Sequence, residues 1–512
     1  MGSVGMMQAR HSSIDVGLTT DLCCRGSVVF FCLVGVIRIF LGAASLPLFI
    51  DVDECQHFDL VVKYARGDWP ATTGQAWDAE TVRVSILYGT FEYLSPPEKF
   101  YGAFPPPAWI LPTSQQQALI KRYESQMQGH VNYEAHSPPL YYLLAAAWLR
   151  LGELLGFTGP FAAYWVRFLN IPLYATLILV AYRFCRTYFS PTVTMAVSAM
   201  LAFFPSTTFF SVNSDVACPL TALVALWLLV RWQTDPVTIR SSFWTGMTVA
   251  AALLVKLTNV AILALCAAAI LVTWFRVAQR RGRWAEYWPG ICLTLSVAIP
   301  CGAWMLTNQF WLGDWTGTAD KVEYLGWTVK PWGEFFLHPL FSPAGELAYW
   351  KRLCTSFYLG DMNWHGQSWA DPIFLNLVAW LTFAMVPIGL TMGSSRRRSE
   401  GDEARAVVRR YCFAMIVGSI GFLLGLSLIY DFGGCIYPSR QYPYYNSGRL
   451  IYGGMVPILV LFAGGVESIG RRVGWLAALI LIVAISTMLP PQIRLFEQVI
   501  QNPSNLFHLP MR

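Results

Sequence analysis

Residues 27–57 read SVVFFCLVGVIRIFLGAASLPLFIDVDECQH, an apolar run from Ser27 to Leu48 followed at once by Asp51, Asp53, Glu54 and His57. A helix of about 20 apolar residues crosses the hydrocarbon of a bilayer, so the run reads as a membrane span. No small-residue cleavage site closes it, which makes it a retained span and not a cleaved leader. The acids then stand where that span leaves the membrane.

The pattern repeats along the 512 residues, of which 55% are hydrophobic and only 13% charged. Soluble domains carry about 25% charged residues. Together with a mean hydropathy of +0.45, this makes the chain an all-α polytopic membrane protein. Further spans begin near Ala162, Pro191, Val216, Phe243, Val260, Tyr287, Pro372, Tyr411, Leu450 and Val473. Two long polar, aromatic segments interrupt them, at 51–137 and 310–371. The whole chain, 1–512, reads as one integral membrane domain with about eleven spans and interfacial helices in its loops.

Orientation follows from the basic clusters, since Lys and Arg are retained on the cytoplasmic side. These are Arg10 with Arg25; Arg183 with Arg186; Arg231 with Arg240; Arg276, Arg280, Arg281 and Arg283; Arg396 to Arg398 with Arg405, Arg409 and Arg410; and Arg471 with Arg472. All of them share one side if Pro138 to Leu155 does not cross and instead lies at the outer interface or re-enters. The amino end is then cytoplasmic, the carboxyl end and both long loops are outside, and the outer face collects Asp53, Glu54, His57, His136, Asp215, Lys256, Asn259, Asn308, Asp361, Asp431, Arg440 and Arg449. The net charge of +6 comes from these anchoring arginines, so it is a topology signal and gives no reason to expect nucleic acid as a partner.

Five constellations carry chemistry. Asp53 and His57 are four apart and share a face if a helix starts here; burial beside Glu54 raises one carboxyl's pKa and suits it to general base work. Alternatively the acids cap that helix. In Tyr133-Glu134-Ala-His136-Ser-Pro138-Pro139-Leu-Tyr141-Tyr142 the prolines open a helix and fix His136 and Tyr141 at the surface, as substrate groups or as an interfacial aromatic belt. Asp215, after Pro205-Ser-Thr-Thr-Phe-Phe-Ser-Val-Asn213-Ser, either orients substrate or caps the next helix. Lys256, with Leu-Thr258-Asn259, interrupts an apolar run, where it holds a phosphate or snorkels to the interface. Arg449, in Asn446-Ser-Gly448-Arg449, breaks the positive-inside trend and marks an anion site, with Arg440 nearby.

The loop tryptophans Trp69, Trp77, Trp109, Trp315, Trp327, Trp332, Trp364 and Trp369 suit sugar stacking and lipid interfaces alike. Cys23 and Cys24 precede the first span. Cys55, Cys354 and Cys435 fall outside, where a disulfide between two of them is allowed; no cysteine spacing marks a metal site. Glycine-rich phosphate loops, HExxH and serine elbows are absent from the sequence.

Taken in order, Asp53-Glu54, His136-Ser-Pro138-Pro139-Leu140, Asp215, Lys256 and Gly448-Arg449 resemble the plan of GT-C glycosyltransferases, such as protein O-mannosyltransferases and the aminoarabinose transferases of lipid A. The resemblance covers roughly residues 28 to 470. Ser137 departs from the histidine-proline pair, and the large soluble carboxyl-terminal domain of oligosaccharyltransferases has no counterpart. The resemblance implies an inverting transfer of a hexose or pentose from a polyprenyl-phosphate donor to a glycan, lipid or protein acceptor, on the periplasmic or lumenal face of a plasma or inner membrane, in cell-envelope glycan biosynthesis. Asp53 is then the general base, Glu54 or His57 positions it, and Lys256 and Arg449 hold the departing phosphate. His136, Tyr141, Asp215, Asn259 and Arg440 complete a substrate site. A divalent metal, Mg or Mn, on Asp53, Glu54 and Asp215 is allowed and not required. A transporter or lipid-linked sugar flippase, and a non-catalytic subunit of a polysaccharide assembly complex, are the alternative readings.

Overall fold

The computed structural model describes residues 26–368, 372–391, 400–435 and 437–510. Arg10, Cys23, Cys24, Arg25, Trp369 and Arg396 to Arg398 lie outside the described residues.

The first span is α1 (Gly26–Ser45). The first long loop folds into α2 (Glu54–Arg66), α3 (Ala79–Tyr88) and α4 (Thr113–Gln128) and returns through α5 (Leu140–Leu154). Then come α6 (Pro160–Phe168), α7 (Asn170–Tyr188), α8 (Pro191–Ala202), α9 (Cys218–Thr234), α10 (Ile239–Val255), α11 (Val260–Gln279) and α12 (Trp288–Leu312). The second loop carries α13 (Ala319–Tyr324) and α14 (Pro343–Leu359), and α15 (Pro372–Thr391), α16 (Glu400–Ile429), α17 (Met455–Gly470) and α18 (Gly474–Ile500) close the chain. The only strands among the described residues are two-residue pairs. One of them, β1 (Thr328–Val329) antiparallel to β4 (Tyr430–Asp431), ties the second loop to the end of α16; the other is β2 (Asn363–Trp364) with β3 (Gln367–Ser368). The protein is an all-α polytopic membrane protein.

Among the described residues eight helices are long and apolar enough to cross a membrane, and Pro191–Ala202, Ile239–Val255 and Asn376–Thr391 are shorter apolar helices. Together they occupy the eleven stretches expected. The start expected near Tyr411 moves back to Glu400. The reason is local: Glu-Ala-Arg-Ala-Val-Val-Arg-Arg offers good helix formers and no proline. Where the chain starts a helix it uses ordinary chemistry. Ser190 caps α8 ahead of Pro191, and Ser342 caps α14 ahead of Pro343, as a missing proline amide allows. All ten cysteines among the described residues are free thiols, Cys55, Cys354 and Cys435 included.

Helix direction sorts the charges. Asn170, opening α7, donates to the carbonyls of Phe209 and Ser211, so Arg183 and Arg186 lie at its far end. By the same reading Asp215 and Lys256 stand at one end of the bundle, and Arg231, Arg240, Arg276 and Arg471 at the other. Both loops meet at the first end: Lys321 pairs with Glu134, and His136 lies 3.2 Å from Asp320.

Helix α5 runs beside the first loop, with Arg150 donating to the Ala65 carbonyl at the end of α2. Near its start Tyr142 binds His57. Farther along, Trp148 and Trp165 stack at 4.8 Å and exchange indole-to-carbonyl hydrogen bonds, two residues before Arg167 reaches Glu54. These contacts pack α5 against the first loop and α6.

The most enclosed span is α17. In its most apolar window 89% of residues are buried, against 22% for α12, which faces lipid. Small residues let α15 pack closely on it: a Cβ on Gly389 would lie 2.0 Å from the Leu461 carbonyl oxygen, the close backbone approach that membrane helices favour. Arg449 stands on the turn that leads into this central helix.

Candidate functional site

The site begins at the turn between α1 and α2. Asp53 occupies the N-cap position of α2 in a left-handed conformation, φ 64°, with no capping hydrogen bond from its side chain; that conformation is uncommon for a non-glycine residue and a mark of local strain. One carboxylate oxygen accepts from the Tyr133 hydroxyl at 2.6 Å. The other accepts from Arg449 Nη2 at 2.7 Å.

Arg449 is the hub. Its guanidinium also lies 3.3 Å from Asp215 and 3.4 Å from Asp361. Asp215, fully buried, is gripped from its other side by Lys256 Nζ at 2.6 Å. Arg352 binds Asp361 at 2.9 Å, and the Ser447 hydroxyl donates to the same carboxylate. Lys321 closes the far edge, paired with Glu134 and lying over the Tyr133 ring at 5.6 Å. Carboxylates and cations thus alternate through one connected cluster, in which Asp53, Lys256 and Lys321 keep side-chain exposures of 14%, 17% and 26%. It is mostly buried yet reachable from outside.

Backbone geometry builds this hub. Lys256 is not inside a continuous helix: the apolar run breaks there, extended between α10 and a single 3-10 turn. The break swings its ammonium toward Asp215. Gly448 is equally specific, because a Cβ there would lie 2.0 Å from the Phe357 amide nitrogen. Only glycine lets the Arg449 turn press against α14.

The electrostatics follow from the packing. Burial alone would raise the Asp53 carboxyl, but Arg449, Lys321 and His57 outweigh it and hold it well below the usual carboxylate range. Glu134 is likewise buried, and Lys321 brings it down. Burial pushes His57 down to about 4, against the pull of Glu134, so its ring is neutral at pH 7. Its Nδ1 shares a 2.7 Å hydrogen bond with Tyr142, and the buried Nε2 has no partner among the described residues.

The sequence-expected residues divide. Asp53, His57, Asp215, Lys256 and Arg449 come together, with His136 one step out on Asp320. Tyr141 is buried behind them beside Asn213. Glu54 corrects its expected role. It is fully buried, receives Arg167 at 2.6 and 2.7 Å, and accepts from the Phe49 and Val212 amides at 3.0 Å. Its oxygens are saturated, so it locks the loop to α6 and has no capacity left to act on substrate. Asn259 turns inward: its amide donates to the Ala252 carbonyl, and its oxygen lies against Gly453. Arg440 is also corrected: exposed, it pairs with Asp431 at 3.1 Å and takes no part in the cluster.

The divalent metal left open for Asp53, Glu54 and Asp215 would meet carboxylates already engaged by other groups. Arg449 stands between Asp53 and Asp215, and Glu54 faces Arg167. Among the described residues no group of three or more His, Cys, Asp or Glu converges to hold an ion. Sequence reading missed Lys321, whose partner Glu134 is 187 residues away, Arg352, whose partner Asp361 is only nine residues on, and Arg38. The latter, inside α1, donates from Nε to the Ala202 carbonyl at 3.1 Å and lies over the Tyr174 and Phe210 rings.

Fold and site define a class: a polytopic α-helical membrane protein with a charged cluster at one end of its bundle. Residues 32–316, more than half of the chain, match the family described as "Predicted membrane protein (DUF2142)". The chain belongs to that family. The matched region includes Asp53, His57, Asp215 and Lys256; Asp361 and Arg449 lie beyond it. No curated protein matches the chain. Among solved structures it is similar to the oligosaccharyltransferase of Archaeoglobus fulgidus, crystallised with zinc and sulfate, at 12% identity and a TM-score of 0.37 over 93% of this chain. The chain spans about half of that protein's length (53%).

Proposed function

We propose that this protein is a membrane glycosyltransferase that moves a sugar from a polyprenyl-phosphate donor to an acceptor hydroxyl on the non-cytoplasmic face. The observation that carries the reading is Asp53, a carboxylate shared between Tyr133 and Arg449 in a cluster that also presents Lys256 and Lys321.

A glycosyl phosphodiester needs two things: a base for the attacking hydroxyl, and cations for the phosphate whose charge grows as it leaves. In the proposed step the acceptor oxygen bonds to the anomeric carbon and its proton passes to Asp53. The bond from that carbon to the phosphate oxygen breaks, and its electron pair leaves on the lipid phosphate, held by Arg449 and Lys256. Configuration inverts. Because the free site is internally paired, the incoming phosphate displaces Asp53 from Arg449 and frees the carboxylate to accept the proton. His57, neutral, orients the acceptor. No metal enters the step. The basic clusters at the far end of the bundle support an outward-facing site, and aromatic side chains around the loops suit a sugar.

A transport pathway calls for polar groups at mid-depth. Here Asp215, Lys256 and Arg449 stand at helix ends, which favours the enzyme. The test is turnover of a panel of radiolabelled polyprenyl-phosphosugars by the purified protein and its Asp53→Asn variant, with and without chelator. Chelator-insensitive turnover that falls by about 100-fold or more in the variant supports the reading. Equal turnover in both proteins removes Asp53 from the chemistry, and sugar-lipid translocation without transfer overturns the enzyme in favour of a flippase.

A further inference from the structure

A second feature lies at the opposite end of the bundle. A groove of about 560 Å³ opens between the end of α9, the second half of α11 and the start of α16. Its length is apolar, formed by Leu265, Val272 and Ala414, and its mouth carries Arg276, Arg410 and Glu403. Both arginines are exposed, and neither has an ion-pair partner among the described residues.

Distance sets it apart from the ion-pair cluster. Arg276 lies 16 residues along α11 from Val260, about 24 Å of helix, and Val260 adjoins Lys256. Arg410 lies a similar distance or more down α16 from the β4 end. The groove walls are helices that cross the membrane, so the apolar length is at acyl-chain depth and the arginines at the headgroup level of the other leaflet.

We infer that this groove is a binding site for an anionic glycerophospholipid, its phosphodiester held between Arg276 and Arg410 and one acyl chain lying along Leu265, Val272 and Ala414. Charge complementarity selects the occupant. Two guanidinium groups against one carboxylate leave the mouth net positive, and planar guanidinium forks match phosphate oxygens. Basic pockets between spans recognise lipid headgroups in this way. A choline headgroup would bring a bulky cation toward the arginines.

The test is native mass spectrometry of the whole protein released from micelles containing phosphatidylglycerol or phosphatidylcholine, with inorganic phosphate as competitor. Wild type is expected to retain one phosphatidylglycerol and to prefer it over phosphatidylcholine, in the presence of millimolar phosphate. The R276Q/R410Q variant should lose that retention by about tenfold or more, whereas R231Q, which removes an exposed arginine paired with Asp235 outside the groove, should keep it. Equal retention of the two lipids overturns the proposal. So does retention unchanged in the double variant, equal loss in R231Q, or displacement by phosphate alone. If the double variant does not fold, the two single variants are read by the same criteria.

Discussion

Asp53 and Arg449 are 396 residues apart in the chain, and their side chains meet at 2.7 Å. The contact joins the exit of the first span to the entrance of the central one. It also sets the acidity of the proposed base. In the free protein, burial raises the Asp53 carboxyl less than Arg449, Lys321 and His57 lower it.

A pH profile reads this directly. The acid limb of kcat/KM reports the free enzyme, and that of kcat the bound complex. With Arg449 on Asp53, the first limb is expected below the ordinary carboxylate value. Once a donor phosphate takes Arg449, the second limb moves up. Arg449→Ala should raise the kcat/KM limb and weaken donor binding together. Coincident limbs in the wild type would show that the donor does not displace Asp53.

Glu54 and Arg167 form a buried pair with both partners nearly inaccessible. Removing one partner strands the other charge, at about 3–5 kcal/mol. Glu54→Leu is therefore expected to lower the thermal midpoint sharply. The E54L/R167L double variant should be less damaged than the single one, because it leaves no uncompensated charge. Melting of the wild type, both single variants and the double variant in one detergent checks it; additive losses would mean that the pair is not a unit.

The adjacency of Asp53 and Glu54 marks the limit of what the sequence could reveal. The spans were legible because a bilayer demands long apolar runs, and hydropathy reports them without any tertiary knowledge. Asp53, His57, Asp215, Lys256 and Arg449 were legible as charges that a membrane chain does not place idly. Which of two neighbouring carboxylates would be free was not, because the left-handed turn at Asp53 sends them to different guanidinium partners. Lys321 is an ordinary loop cation until the fold brings Glu134 to it across 187 residues, whereas Arg352 stands on α14 only nine residues before Asp361 and gains its place in the cluster through Asp361's contact with Arg449. Arg38 is hidden differently: one arginine hardly lowers the hydropathy of a long apolar run, and its ring neighbours come from other segments.

Asp51 offers a test by linkage. Burial, with Glu54 nearby, raises its carboxyl from 3.8 to about 6, although the Ser211 hydroxyl and Arg449 oppose the rise. A folded-state pKa above the unfolded one means that the folded protein binds more protons between pH 4 and 6. The group then favours folding at low pH, and that contribution is lost as pH rises through about 6. Asp51→Asn keeps an acceptor for Ser211 and removes the desolvated charge. It should raise stability at pH 7.5 by roughly 1–3 kcal/mol, with the gain vanishing near pH 4. A gain of equal size at both pH values would point to packing and not to charge.

The position of Arg449 rests on the absence of one carbon atom. At Gly448 an added Cβ meets backbone, 2.0 Å from the Phe357 nitrogen and 2.4 Å from its Cα, and backbone inside a packed helix cannot step aside. At Gly453, five residues on, the nearest atom is the Asn259 side-chain oxygen at 2.3 Å, which a rotamer change can move. Gly448→Ala is therefore expected to displace Arg449 from Asp53, Asp215 and Asp361 together, abolishing donor binding and lowering the thermal midpoint while helix content by circular dichroism is kept. Gly453→Ala should cost less stability, about 1–3 kcal/mol for an overpacked site, and retain donor binding. If Gly453→Ala proved the more damaging of the two, the tight seat of Arg449 against α14 would not be what holds the cluster together.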